Sequence, residues 1–398
     1  MQDLKARVVR AIDDLRPELL DVARKIHARP ELAFEERYAA ELLCSVLERH
    51  GLQPKRGAFD LETCFRCDIG EAGPIVAILS EYDALPEMGH ACGHNLIAAM
   101  GLGAALGLAK IGAFGGRVCY LGTPAEEYGA GKAVMAARGA FDGIDAAMMV
   151  HPASVDLEAF PSLAVTAVKA IFRGKAAHAS VSPWEGVNAL DACVSAYQMI
   201  AQLRQHITSS DRVHGIINYG GAAANIVPER AEATYYIRAQ DTVALAALKD
   251  RVLACIEAGA AGAGGRVELE WWEHSYLDLR SNQTLARAYR ANAESLGRSF
   301  FEVSNIPPSA RGATDMGNVS HLVPSIHPTI AIAPIGTGIH TACFAHCAAS
   351  ETGDDATVDG AKAMAMTAID FFCNAELRGA IARDFSRSGS VEPRAGKA

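Results

Sequence analysis

What this chain has little of narrows its class. No stretch of about 20 uninterrupted apolar residues occurs, so nothing reads as a membrane-spanning helix. The opening residues, 1–27, mix acids and bases at helical spacing instead of forming a secretory leader, and the expected compartment is the cytoplasm. Lys and Arg total 37 and are spread along a chain of net charge -9. That distribution leaves no basic footprint for nucleic acid and no polybasic patch for a membrane. A small molecule is the expected partner. There is no internal repeat. Cys64 and Cys67 form a CxxC with no second pair at zinc-ribbon distance, in a stretch that itself reads as a strand. Cys44, Cys193, Cys255 and Cys373 sit among apolar residues of expected helices and read as small hydrophobes in a reduced protein.

What is there is a chain of 398 residues, 50% hydrophobic, which is too long for one ordinary core. The patterning predicts helices at 4–27 and 35–50, with Pro30 ending the first. Buried strands at 75–79, 118–121 and 146–150 and a buried helix at 96–110 then alternate as in an α/β sheet. From 164 the pattern changes to strand 164–173, helix 187–206, strands 215–219 and 232–238, helix 242–258 and strand 267–271, a ferredoxin-like βαββαβ unit. A helix at 282–296, a buried strand at 329–333 and a helix at 357–374 resume the first pattern. The expected architecture is therefore an α/β catalytic domain with a mixed sheet and helices on both faces, residues 1–164 and 279–398. Into it is inserted an α+β domain, residues 165–278. The polar tail 386–398 has too little apolar content to pack.

The candidate chemistry lies at strand ends, where sites of open α/β sheets form. Glu81-Tyr82-Asp83-Ala84-Leu85-Pro86 and Gly89-His90-Ala91-Cys92-Gly93-His94-Asn95 follow one buried strand and precede a helix. Cys92 and His94 are metal-ligand types two positions apart, with Gly93 letting the backbone turn between them; a buried cysteine beside a helix-capping asparagine is the plain alternative. Thr123-Pro124-Ala125-Glu126-Glu127-Tyr128-Gly129 follows a second strand. Adjacent carboxylates there point different ways, so one can bind metal while the other faces a reacting water; two exposed acids in a first helical turn would look the same. His151 closes a third strand, and His340 lies in a glycine-bearing loop after a fourth. Each of these histidines is unremarkable alone. Together, Cys92, His94, Glu127, His151 and His340 are enough donors for a two-ion site. Their mixed thiolate, imidazole and carboxylate chemistry suits zinc or manganese, with nickel or cobalt also open.

These segments resemble the co-catalytic metallopeptidases and amidohydrolases that include aminoacylases, hippurate hydrolases, auxin-conjugate hydrolases and p-aminobenzoyl-glutamate hydrolase. The resemblance covers nearly the whole chain. It takes in Ile26-His27-Ala28-Arg29-Pro30-Glu31-Leu32-Ala33-Phe34-Glu35-Glu36, the motifs above, Gly174-Lys175-Ala176-Ala177-His178-Ala179-Ser180 and Asn225-Ile226-Val227-Pro228. It implies two divalent metal ions per subunit held by the five ligands, and Glu126 as general base. It implies that the inserted domain is a lid that forms a homodimer interface, with His178 reaching an active site of its own or the partner subunit. By the same resemblance Asn225 and Arg238 contact the substrate or its carboxylate; a solvated strand-end arginine is the alternative for Arg238. Asp83 is expected to orient a histidine ligand, though an Asp before Ala-Leu-Pro is also ordinary turn chemistry. Asn95 stands where many of these amidohydrolases carry aspartate, and the segment Arg311-Gly312-Ala313-Thr314-Asp315-Met316-Gly317-Asn318-Val319-Ser320 also departs from their usual pattern. Both features are closer to a branch that includes β-alanyl-lysine dipeptidase. The implied activity is hydrolysis of the amide of an N-acyl amino acid or dipeptide-like substrate. Hydrolysis of another C–N bond, as in deamination of an aromatic amine, and a non-catalytic binding protein on the same fold are the alternatives.

Overall fold

A computed structural model describes residues 1–305 and 311–388. They form two compact units, one built from Met1–Pro161 and the stretches that follow Leu279 and Thr314, the other from Ser162–Asp278 with residues 311–313. The inserted unit opens at Ser162 rather than at 165, because the Leu163 amide already bonds the Gly312 carbonyl. In chain order the strands are β1 (Lys55–Arg56), β2 (Phe65–Ile69), β3 (Ile75–Glu81), β4 (Arg117–Thr123), β5 (Ala146–Met148), β6 (His151–Ala153), β7 (Ala164–Arg173), β8 (Arg212–Tyr219), β9 (Arg230–Ala239), β10 (Arg266–Trp271), β11 (Ser325–Ile326) and β12 (Thr329–Ala331).

Among the described residues of the first unit, β1-β2-β4-β3-β5-β11 make one sheet. β2 runs antiparallel to both neighbours and the remaining pairs are parallel, so the sheet is mixed. Its strands are apolar on both faces, as a doubly covered sheet requires. Val76, Ile78, Val118 and Tyr120 face a core shared with the helices Gln2–Ala28, Arg37–Arg49, His94–Ile111 and Glu351–Cys373. Ala77, Leu79, Cys119 and Leu121 face the other core, with Met135, Met316 and Val319 from the short helices Gly131–Ala137 and Met316–Ser320.

The helix His94–Ile111 is long and apolar enough to cross a membrane by length and composition, but here it is the buried centre of the unit. Its small residues let the amphipathic first helix pack closely. A Cβ at Gly107 would stand 2.5 Å from Ile12 Cγ1.

Three expectations change. The strand expected at 146–150 ends at Met148, and a second strand, β6, begins just beyond it at His151, because the chain leaves β5 in the large sheet and pairs in parallel with β12 as a separate ribbon. The closing helix starts at Glu351, well before 357, since the Ser350 hydroxyl caps it by accepting from the Gly353 amide. Ser386 and Arg387 belong to the last helix, Ala375–Arg387, instead of a loose tail; the rest of that expectation, from 389 on, lies outside the described residues.

The inserted unit carries an antiparallel sheet in the order β10-β7-β9-β8, the ferredoxin-like order for a βαββαβ chain. Val168, Ala170 and Phe172 alternate into a core with Ala233, Tyr235 and Ile237, closed by the helices Ala189–Leu203 and Thr242–Gly262. Asn188 and Asp241 cap those helices through their side chains.

Candidate metal centre

Parallel pairing of β3 with β4 sets Glu81 beside Thr123, so the chain leaves both strands at one level and the loops beyond them share one edge. Gly93 holds φ +80, and a Cβ there would meet Pro152 at 2.9 Å. Glycine therefore permits both the left-handed turn between Cys92 and His94 and the approach of the β6 strand that carries His151. His340, itself at φ 60, is tied by its amide to the Ala91 carbonyl at 2.8 Å, which brings a residue distant in sequence next to Cys92. Ala125, also left-handed at φ 59, turns the chain just before Glu126.

The five donors come together. Cys92 Sγ lies 3.5 Å from His151 Nε2, Glu127 Oε1 lies 3.3 Å from His340 Nε2 and 3.8 Å from His94 Nε2. The triads Cys92–His94–His151 and Cys92–Glu127–His340 each have all their ligand atoms within 4.8 Å of one another, and Glu127 is shared with a third grouping, His94–Glu126–Glu127. His94 Nδ1 donates to Asp83 Oδ1 at 2.9 Å and His151 Nδ1 donates to the Pro152 carbonyl at 2.7 Å. Both rings thereby turn Nε2 inward, the arrangement that fixes a ligating tautomer. The other Asp83 oxygen accepts from the Glu127 amide at 2.9 Å, so one carboxylate braces two donors. Glu81 Oε2, His94 Nε2 and Glu127 Oε1 are buried without a hydrogen-bond partner. Buried polar atoms ordinarily find partners, and a converging set of oxygen, nitrogen and sulfur donors fits a pair of divalent cations.

The adjacent glutamates are driven apart. Burial, with Glu81 and Glu127 adding to it, pushes the Glu126 carboxyl well above the usual carboxylate range. Burial opposes ionisation of Glu127 too, but His340 and His94 outweigh it and hold that carboxyl low. Such a split separates a proton carrier from a permanent anion. Burial likewise opposes charge on Asp83, yet His94 keeps its carboxyl low. Burial pushes the Cys92 thiol up, reinforced by Glu127, so a cation entering this site must displace its proton.

His178, Asn225 and Arg238 all fall in the second unit. His178 bridges Ile226 on an antiparallel segment, and the Ala179 amide bonds the Asn225 carbonyl at 3.1 Å, so His178 and Asn225 stand side by side and exposed. Ser180 donates its amide to His178 Nδ1 at 3.3 Å, which leaves the proton on Nε2. Arg238 is partly buried on the face of β9 away from the helices, beside Tyr236, and has no acidic partner among the described residues. Asn95 donates to the Ala23 and Ala348 carbonyls at 3.3 and 2.9 Å. It ties elements together, and Asp83 does the orienting of His94.

Sequence reasoning missed two supports. Lys132 is fully buried, with Nζ bonded to Glu81 Oε1 and, at 2.6 Å, to Asp315 Oδ1. Glu36 is fully buried and accepts from the Ala125 amide at 2.8 Å and from the Thr63 hydroxyl at 2.9 Å, holding the turn before Glu126. Glu36 lies inside one of the quoted motifs, and Lys132 follows the Glu126-Glu127 motif closely; a buried charge in an apolar surrounding leaves no local trace.

Comparison with known proteins places these features. The description Peptidase family M20/M25/M40 matches residues 77–370. The chain is 40% identical to the Xaa-Arg dipeptidase of Mus musculus, across 96% of this chain and 92% of that protein. It is 35% identical to one subunit of the p-aminobenzoyl-glutamate hydrolase of Escherichia coli, across 72% of this chain and 64% of that one. The crystal structure of a dinuclear metal-binding M20 peptidase from Bacillus subtilis shares the fold, with a TM-score of 0.70 at 22% identity over 90% of this chain and 98% of that one.

Proposed function

Because the chain belongs to Peptidase family M20/M25/M40, we propose that it hydrolyses the amide bond of a dipeptide or N-acyl amino acid at the Cys92, His94, Glu127, His151 and His340 centre, with Glu126 carrying the proton. The observation that carries this reading is the convergence of the five donors, the ligand atoms of each triad lying within 4.8 Å of one another, with Glu126 grouped beside Glu127 and His94. Two divalent ions held by these residues would supply the Lewis acidity for activating water and polarising an amide carbonyl. Zinc or manganese suits the mixed donor set, with nickel or cobalt as further candidates.

The residues' own work follows. Glu126 takes the proton of the attacking water and returns it to the departing amine. Asp83 fixes the His94 ring and the Glu127 backbone. His178, protonated on Nε2, is a donor for the oxyanion of the tetrahedral adduct, and Asn225 stands beside it for a substrate polar group. Arg238, lacking an acidic partner among the described residues, suits the substrate carboxylate. The Xaa-Arg dipeptidase relative supports dipeptides ending in a basic residue as the first class to assay. We further propose a homodimer through the inserted unit. β8 is an edge strand there, and Ile216, Ile217 and Tyr219 are 63%, 40% and 40% exposed on it. Ten free cysteines support a reducing compartment, the cytoplasm.

The test is product analysis by mass spectrometry on dipeptides, N-acyl amino acids, p-aminobenzoyl-glutamate and aromatic amines, with zinc- and manganese-loaded protein. Glu126→Ala should lower turnover by roughly 10²–10⁴-fold, the usual worth of a general acid–base group, with metal content unchanged. Full activity in that variant would remove Glu126 from the chemistry; release of ammonia alone would replace amide hydrolysis by deamination.

A further inference from the structure

The cluster beneath the five donors holds more acid than its lysine needs. Asp315 is fully buried and gives both oxygens to Lys132, Oδ1 to Nζ at 2.6 Å and Oδ2 to the backbone amide at 2.8 Å. That carboxylate alone matches the ammonium. Glu81 is equally buried and turns only Oε1 to Lys132 Nζ. Its Oε2 has no hydrogen-bond partner and faces His94 Nε2, likewise unpartnered, at 3.4 Å.

Asp83 engages Nδ1 of the His94 ring, so Nε2 is the nitrogen that meets Glu81 Oε2 across the gap. A buried carboxylate oxygen and a buried imidazole nitrogen that lack hydrogen-bond partners are both satisfied by one cation held between them. The separation suits two donors on one ion, since ligands each about 2.1 Å from a tetrahedral centre stand about 3.4 Å apart.

Resting on the metal-centre reading above, we propose that Glu81 is a further donor at that centre, presenting Oε2 to the same ion as His94 Nε2. Lys132, pinned by Asp315, is the positioning residue. It occupies Oε1 and so leaves a single oxygen with a set direction. A glutamate whose task was only to neutralise Lys132 would have no reason to leave one oxygen aimed at an inward-facing imidazole nitrogen. A donor held this way also explains why a lysine sits beneath a site built to attract cations: its ammonium is spent on two carboxylates and orients one of them.

Cobalt reports the donor set through its visible ligand-field bands, independently of turnover. Metal-stripped wild-type protein, titrated with Co²⁺, should take up two ions per chain. Glu81→Gln should weaken one of the two binding steps at least tenfold and change the position or intensity of the bands, with circular dichroism and Tm near wild type. Lys132→Met should change the same bands, because Oε1 is released and Glu81 can turn. Glu81→Asp keeps the charge but withdraws the oxygen, and serves by the same readouts if the glutamine variant does not fold. Bands that superimpose on wild type, with both affinities within twofold, in a folded Glu81 variant overturn the proposal. Wild-type protein that takes up no cobalt overturns the metal-centre reading instead, and this inference with it.

Discussion

At the scale of single residues, the candidate donors were legible because each lies in a motif or loop that follows a strand whose pattern is local. Their supports were not. Lys132 meets Glu81 and Asp315 across 51 and 183 positions, and only the folded sheet edge brings those three together. Asp83 sits between the two cases: its place in the motif marked it, but its double task, one oxygen on His94 and one on the Glu127 amide, is a tertiary fact. Groups that orient a ligating histidine commonly contribute about 10–100-fold to metal affinity. Asp83→Ala should therefore weaken binding by that order, read by competition with a chromophoric chelator, and unchanged affinity would remove Asp83 from the support of the centre. Glu36 yields a pH test. Burial, with Asp83 adding to it, lifts its carboxyl to about 7 from an unfolded value of 4.5. A raised acid binds more protons folded than unfolded, so its contribution is complete below 4.5 and lost as pH rises through about 7. The loss is of order ~3 kcal/mol at most. Denaturant titrations from pH 4.5 to 7.5 should show stability falling more steeply with pH in wild type than in Glu36→Gln, and parallel curves would refute the assignment.

At the scale of elements, the continuous apolar runs of β3 and β4 and the helical stripe of the first helix announced themselves. The break between β5 and β6 did not, because 146–153 is apolar and extended on both sides of Met149 and only its pairing partners differ, β11 for one part and β12 for the other. That change of sheet matters, since it moves His151 out of the large sheet and against the Gly93 turn. Gly93→Ala should accordingly disturb the centre more than the fold. A left-handed alanine with a Cβ 2.9 Å from Pro152 carries strain of about 1–3 kcal/mol, and relieving it pushes the Cys92–His94 turn away from His151. Expected are a modest fall in Tm and loss of metal stoichiometry by plasma mass spectrometry. A variant that binds metal as wild type does would mean the turn has slack that its contacts with Pro152 do not suggest.

At the scale of the whole molecule, the insertion of one unit into the other was legible because two different periodicities alternate along the chain, while assembly leaves a weaker mark. The candidate dimer surface is β8. It is an edge strand with a row of unpaired backbone groups, and Ile216 and Ile217 are among its most exposed apolar residues. Soluble proteins usually guard such an edge with charge, proline or a covering element. An apolar edge left open is explained if a second copy adds its own β8 to it. Ile216→Lys with Ile217→Lys should then shift the sedimentation coefficient from dimer to monomer while the unit stays folded, because neither side chain enters its core cluster. Activity decides the rest. If His178 serves the partner subunit, the monomeric variant should lose most turnover yet retain both metal ions, and mixing His178→Ala with Glu126→Ala in the wild-type interface should recover part of it. A monomer with undiminished kcat/KM would assign His178 to the site of its own chain.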